Sequence, residues 1–241
     1  MSTTFTLTPE QIVFSALRVF NAIALGATLD SNTLDNGIQV LNMMLKGWQT
    51  QGFKIWTIEE LVITPILSQA SYTIGPSGTD IIANKPLRLI NGLCFSRDTS
   101  SNLDRSITVL SKNEYMLLGD KSATGSINSV MYDPGVSTGT VYVYNTADNY
   151  AVANTTLHLF SQRPIQDINL STDPFDFPQE WLMALRWNLA AELMSEYGVE
   201  MNQQQAIEMK AAKYKNELED WDTEHTSVYF NPDIRSGFIR M

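Results

Sequence analysis

The chain has 241 residues, of which 44% are hydrophobic, with one cysteine and a formal net charge of −10. This composition supplies a real core, and a lone Cys94 excludes a disulfide-stapled scaffold. So acidic a chain is also poorly suited to a general grip on phosphate backbones, which needs concentrated Lys and Arg.

The N-terminus, Met1-Ser2-Thr3-Thr4-Phe5, lacks the basic region and long apolar stretch of a signal peptide. A first helix is expected from Thr8-Pro9-Glu10-Gln11, where Thr8 caps, Pro9 suits the first helical position and Gln11 completes a capping box. Ile12, Val13, Ala16, Leu17, Phe20, Ile23 and Ala24 recur on one face, and Gly26 marks the stop. A second helix follows Asp30-Ser31. Its seam, Leu34, Ile38, Leu41, Leu45 and Trp48, steps by four and three residues in alternation, and Gly52 ends it. The two helices read as a hairpin.

From Thr57 the texture becomes β-branched and aromatic, broken by turn signals. Strands are expected over 57–64, 71–74, 87–95, 106–110, 126–132, 140–144 and 156–161. Their spacing points to a small sandwich or barrel. Ser111-Lys112-Asn113-Glu114 repeats the capping-box pattern and predicts a short helix over 113–118.

A third helix is expected from Phe177-Pro178-Gln179-Glu180, with Trp181, Leu182, Leu185, Leu189, Leu193 and Tyr197 on its buried side. After Gly198 a fourth carries a narrow seam, Ile207, Ala211, Tyr214, Leu218 and Trp221, on an otherwise polar helix. One side would pack, against the bundle or against another subunit. The last residues, 227–241, are too apolar for an ordinary tail and too broken for a helix. Two readings stand: a terminus docked on its own domain, or an arm laid across a neighbouring subunit or partner. Residues 166–241 hold 14 acids against six bases, so the acidity belongs to the C-terminal third.

Residues that carry chemistry are sparse. His158, between Leu157 and Leu159, points away from the buried face of its strand, and His225 lies near the end of the fourth helix, where a cation is favourable. Zinc, calcium, phosphate-loop and dinucleotide spacings do not occur, and no cofactor is expected. Cys94 sits in an apolar strand, as a buried inert thiol would. Glu192 and Glu196 share one helix face, with Asp173 and Asp176 before it, and a two-carboxylate hydrolase requires burial of one such acid. Tyr132, Tyr142, Tyr144 and Tyr150 read either as sheet packing or as a surface for sugars or a partner.

Two stretches carry a resemblance. One is Leu41-Asn42-Met43-Met44-Leu45-Lys46-Gly47-Trp48-Gln49-Thr50-Gln51-Gly52 followed by Ile55-Trp56. The other is Phe177-Pro178-Gln179-Glu180-Trp181-Leu182-Met183-Ala184-Leu185, then Asn188-Leu189-Ala190 and Glu196-Tyr197-Gly198. With the order of helices, strands, helices and arm, they resemble the head-to-tail adaptor proteins of short-tailed bacteriophages, also described as packaged-DNA stabilisation proteins or tail accessory factors. The resemblance implies a non-catalytic virion component made in the host cytoplasm. It would form a homo-oligomeric ring, a dodecamer, under the portal protein, continue the DNA channel without specific DNA binding, and hold the tail nozzle and tail fibres or tailspikes. On that reading Tyr229, Phe230, Ile234, Arg235, Phe238, Ile239 and Arg240 are the portal or subunit interface.

The expected fold is therefore α+β: a four-helix bundle from 1–56 and 166–226, an inserted small β-sandwich or barrel at 57–165, and an extended C-terminal arm at 227–241. A virion peptidoglycan hydrolase and a carbohydrate-binding module are the alternative functions.

Overall fold

A computed structural model of the chain describes residues 5–24, 26–51, 57–169 and 177–221. All seven proposed interface residues, Tyr229 to Arg240, lie outside the described residues, as does His225.

Helix α1 (Pro9–Val19) starts on the expected capping box: Gln11 N–H donates to Thr8 Oγ1 at 3.3 Å, and Thr8 N–H to Gln11 Oε1 at 3.0 Å. It stops earlier than the apolar pattern suggests. Asn21 takes φ +60°, a left-handed conformation that asparagine tolerates beyond a helix end. Helix α2 (Ser31–Gln51) buries Ile38, Leu41, Met44, Leu45 and Trp48. It approaches α1 closely at Gly37, where a Cβ would run into the Val13 side chain.

The strand-rich stretch begins with β1 (Ile58–Ile63), β2 (Ser71–Gly75), β3 (Ile81–Ile82) and β4 (Arg88–Leu89). Next come β5 (Phe95–Asp98), β6 (Leu103–Ser106), β7 (Thr108–Leu110) and the short helix α3 (Lys112–Met116), capped reciprocally by Ser111 and Glu114 as expected. Strands β8 (Thr124–Gly125), β9 (Ser129–Pro134), β10 (Gly139–Tyr144) and β11 (Thr146–Ala147), helix α4 (Asn149–Asn154) and β12 (Thr155–Gln162) complete it. One five-stranded sheet runs β1-β12-β5-β6 with β4 also on β12; another runs β3-β2-β10-β9-β7. A two-stranded pair joins β8 to β11. Leu61, Ile63, Leu157 and Leu159 from the first sheet meet Tyr72, Ile74, Val130, Val141 and Val143 from the second in one buried cluster. These alternate with outward residues along each strand, the period-two signature of a one-sided sheet.

Beyond the linker, a 3-10 turn at Gln179–Trp181 leads into α5 (Leu182–Leu193), and a second at Met194–Glu196 precedes α6 (Met201–Trp221). Trp181 is fully buried and its ring packs on Trp48 at 5.9 Å. Lys213 and Glu217 form an i,i+4 pair on α6, at 3.6 Å.

The expectation of a four-helix bundle with an inserted sandwich or barrel is overturned. The described residues form a mixed α/β fold with six α-helices and with most strands gathered into sheets. The long helices have 11, 21, 12 and 21 residues, so α1 and α5 are about half the length of α2 and α6. Instead α1, α2 and α6 each pack on α5. The reason lies in α5, which buries Leu182, Ala184, Leu185, Leu189, Ala190 and Leu193 and is therefore apolar around most of its girth. A seam-based reading assumes one buried stripe per helix, and α5 has no such stripe. Helices α3 and α4 moreover belong to the strand-rich stretch.

Candidate functional site

Acid–base groups converge on the outer face of the β1-β12-β5-β6 sheet. Register sets Val62 opposite His158 and His158 opposite Phe95. Alternation turns Glu60, Thr156, His158 and Phe95 to the same side. Glu60 Oε1 lies 2.5 Å from His158 Nδ1, and Thr156 Oγ1 lies 3.0 Å from His158 Nε2. The imidazole stacks on Phe95 with centroids 4.6 Å apart and planes 7° off parallel, which leaves its side chain only 12% exposed. Arg97 lies over the same Phe95 ring, 5.1 Å from its centroid, and makes a two-pronged ion pair with Asp104 at 2.7 Å.

Hydroxyl, imidazole and carboxylate in this order have the connectivity of an activated nucleophile. Their setting differs from a catalytic one. Thr156 and His158 are two residues apart on one paired strand, so the hydroxyl is held against the imidazole on a flat face. The cavities of about 420, 400 and 230 Å³ are lined by other residues. The cluster has the geometry of a cross-strand tie between β1 and β12. Its imidazole is more covered than the alternation alone predicts, because Phe95 lies on the same face.

The remaining candidates resolve into internal contacts. Asp98 is buried and accepts from Ser100 N–H at 2.9 Å, Ser100 Oγ at 2.7 Å, Ser101 N–H at 3.1 Å and Tyr150 Oη at 2.7 Å. Donation from Ser100 and Tyr150 holds its carboxyl well below the usual carboxylate range. Tyr132 donates to Pro86 O at 2.5 Å, and burial pushes its phenol up to about 12. Tyr142 packs on Tyr115 at 5.6 Å. Sheet packing thus absorbs Tyr132 and Tyr142, whereas Tyr150 lies on α4, is 52% exposed and is held by its bond to Asp98. Cys94 is 1% exposed, its Sγ donates to Ile90 O at 3.3 Å, and burial raises its pKa. It lies just before β5 and outside a continuous strand, since the expected 87–95 strand breaks at Gly92, where φ is +87°.

Glu192 and Glu196 are both exposed; Glu196 Oε2 accepts from Asn36 Nδ2 at 2.7 Å, and Glu192 lines a groove. Neither acid has the burial that a raised catalytic pKa requires. Asp173 and Asp176 lie outside the described residues.

A further polar pair lies on α2, apart from these candidates. Asn42 and Lys46 are one helical turn apart on α2, on the side that meets the chain returning from β12. Asn42 Nδ2 donates to Ile168 O at 2.9 Å while its Oδ1 accepts from Ile168 N–H at 3.0 Å. Lys46 Nζ donates to Ile165 O at 3.0 Å and pairs with Asp167 at 2.5 Å. With Arg163 N–H donating to Thr57 O at 2.8 Å, this clamp fixes the exit of the strand-rich stretch to the helices. A cleft of about 420 Å³, lined by Lys46, Gln49 and Thr50 from α2 and by Leu87, Arg88 and Gln162 from the strands, lies alongside it. A polar pair spaced by four residues on an amphipathic helix is the only trace the sequence carries of this clamp.

Two grooves mark the helical side. One, of about 400 Å³, runs among α2, α5 and α6 and is lined by Val40, Met43, Gly47, Trp48, Glu192 and Lys215. The other, of about 230 Å³, lies between the start of α5 and the end of α6. Among the described residues no helix is long and apolar enough to cross a membrane, and no group of His, Cys, Asp and Glu is placed to hold a metal ion. Compared with known proteins, the chain matches no family model and no curated protein.

Proposed function

We propose that the chain is a structural head-to-tail connector of a bacteriophage, acting as a ring, a dodecamer, below the portal protein. The observation that carries this reading is the meeting of the two resembling stretches in the fold. Trp48 and Trp181, over a hundred residues apart in sequence, pack at 5.9 Å in the helical core. The core thus formed leaves much of α6 uncovered, with Met201 at 71%, Met209 at 68% and Trp221 at 59% exposure. A helix so lightly covered offers surface for a neighbour. Heterologous contacts of this kind between identical chains, related by rotation, close into a ring.

The division of labour follows. The helices make the ring wall, and the clamp at Asn42 and Lys46 holds the strand-rich stretch at a set angle as a platform for the nozzle, fibres or tailspikes. The arm residues Tyr229, Phe230, Ile234, Phe238 and Ile239 anchor to the portal or the next subunit. DNA crosses the lumen without specific binding, because the acidic C-terminal third repels phosphate at distances up to a Debye length of about 8–10 Å. The connector performs its role in the assembled virion.

Native mass measurement of the chain with and without its cognate portal tests the reading. A discrete higher-order ring on the portal is the expected result, and deletion of residues 227–241 should abolish docking while leaving the circular dichroism unchanged. A chain that neither oligomerises nor binds the portal at any concentration refutes it. Robust turnover of peptidoglycan, or glycan binding, would favour the hydrolase or the carbohydrate-binding alternative instead.

A further inference from the structure

We infer that the groove between the start of α5 and the end of α6 is the docking site for residues 227–241 of the same chain. Glu180, Met183, Ala184, Tyr214, Leu218 and Trp221 line its apolar floor and rim. Two large side chains there remain in water, Met183 at 44% exposure and Trp221 at 59%. Trp221 lines the groove and is also the last described residue, so the sequence that follows is tethered at the groove.

The sequence that follows suits this surface in kind. Val228, Tyr229, Phe230, Ile234, Phe238 and Ile239 supply apolar side chains able to cover the exposed Met183 and Trp221, and burying one such side chain is worth about 1.5–3 kcal/mol. Charge agrees. The last turn of α6 has no basic residue, although the negative end of a helix dipole favours cations there. Glu217 and Glu180 line the groove, and Glu219 lies beside them in that turn. Arg235 and Arg240 are the only Lys or Arg after Trp221, and with Asp233 they give the segment 227–241 a net charge of +1, opposite in sign to the groove rim.

Tethering favours the chain's own groove over that of a second copy. The link 222–226 is short and polar, and residues 222–227 extend to no more than about 20 Å. A short tether holds the segment at an effective concentration of about millimolar, well above the free concentration of a second copy in dilute solution. Docking of this kind needs neither portal nor ring. In a connector, a partner that takes the arm must first displace it from this groove.

Disulfide trapping in the full-length chain tests the assignment. Met183→Cys combined with Phe230→Cys places one thiol in the groove and one in the segment. Asn216→Cys with the same Phe230→Cys serves as the control, because Asn216 is exposed and lies on the opposite side of α6 by helical period. Both helix positions are exposed, so neither change disturbs the core, and Cys94 stays out of the reaction through its burial. Under mild oxidation of dilute protein, the groove pair should close an intrachain disulfide at least about tenfold faster than the control. Peptide mass mapping of the monomer band identifies it. Equal rates for the two pairs would overturn the inference. Interchain disulfides alone would also overturn it, by placing the segment on a second copy.

Discussion

Gly139 and Tyr132 form a lock between the two sheets that one methyl group should break. Gly139 opens β10 opposite Pro134, and Tyr132 stands opposite Val141 on the same face, so ring and glycine are diagonal neighbours. A Cβ at position 139 would sit 2.5 Å from Tyr132 Cε2 and 2.7 Å from Cζ, and closer still to the hydroxyl. The ring has little freedom to retreat, because its hydroxyl is fastened to Pro86 O, in the segment leading to β4 of the other sheet. Overpacking of this type costs about 1–3 kcal/mol, and expelling the ring forfeits a hydrogen bond worth about 0.5–1.5 kcal/mol more. Gly139→Ala is therefore expected to destabilise the fold by about 2–4 kcal/mol. Tyr132→Phe, which loses only the hydrogen bond, should cost about 1 kcal/mol. Urea denaturation of the single variants and of Gly139→Ala in a Tyr132→Ala background completes a double-mutant cycle. The alanine at 139 should become nearly neutral once the ring is gone. A Gly139→Ala protein within about 0.5 kcal/mol of the parent, or an unchanged cost in the Tyr132→Ala background, refutes the lock.

Removal of the Trp181 ring, fully buried against Trp48 and 6.2 Å from Phe177, should cost about 3–5 kcal/mol in Trp181→Ala, read by thermal unfolding. Asn42→Ala breaks both bonds to Ile168 and should cost about 1–3 kcal/mol; Asn42→Asp keeps the acceptor but not the donor and should fall between. Equal stability of both variants with the parent would refute the clamp. Asp98→Asn tests the buried carboxylate by pH. A carboxyl whose folded pKa is depressed contributes stability above its unfolded value of about 3.9, and the contribution is lost as pH falls through the lower folded value. The gap between the parent and Asp98→Asn in urea midpoint should hold from pH 7 down to about 5, begin to narrow near 4 and close only in stronger acid. A gap that persists undiminished in strong acid contradicts this.

Local signals in this sequence were sound where a few adjacent residues decide the outcome. The capping boxes at Thr8 and Ser111 start α1 and α3 as expected, since each needs only a hydroxyl and a Gln or Glu three residues on. Several strands stand near their expected places, because alternation is also local. The expectations failed wherever a partner distant in sequence decides. The β2–β3 and β8–β11 pairings are two residues long, too short to show a period. Trp221 continues the seam of α6 yet is 59% exposed, since a seam read from spacing does not say how far along the helix its neighbours reach. The fold class was misjudged for the same reason. Trp181, Leu185 and Leu189 look like one stripe in sequence, and only the placement of α1, α2 and α6 around α5 reveals that the helix is buried on several sides.

The candidate site was legible to a still smaller degree, and the cause is chemical. His158 was noticed as one of two histidines, but its neighbours Glu60 and Phe95 are 98 and 63 residues away and arrive through strand register alone. Asn42 and Lys46 lay inside a stretch noted for resemblance, with their polar groups unassigned. Their partners are largely backbone atoms of Ile165 and Ile168, which any sequence would present. Side chains that recognise backbone leave no complementary residue type to search for. A protein that works by holding one part at a fixed angle to another concentrates its functional polar groups in such bonds. In that case the lack of catalytic spacings and the clamp at the exit of β12 are two aspects of one design. On the proposed connector reading, loosening Asn42 should weaken portal or tail attachment before it unfolds the chain.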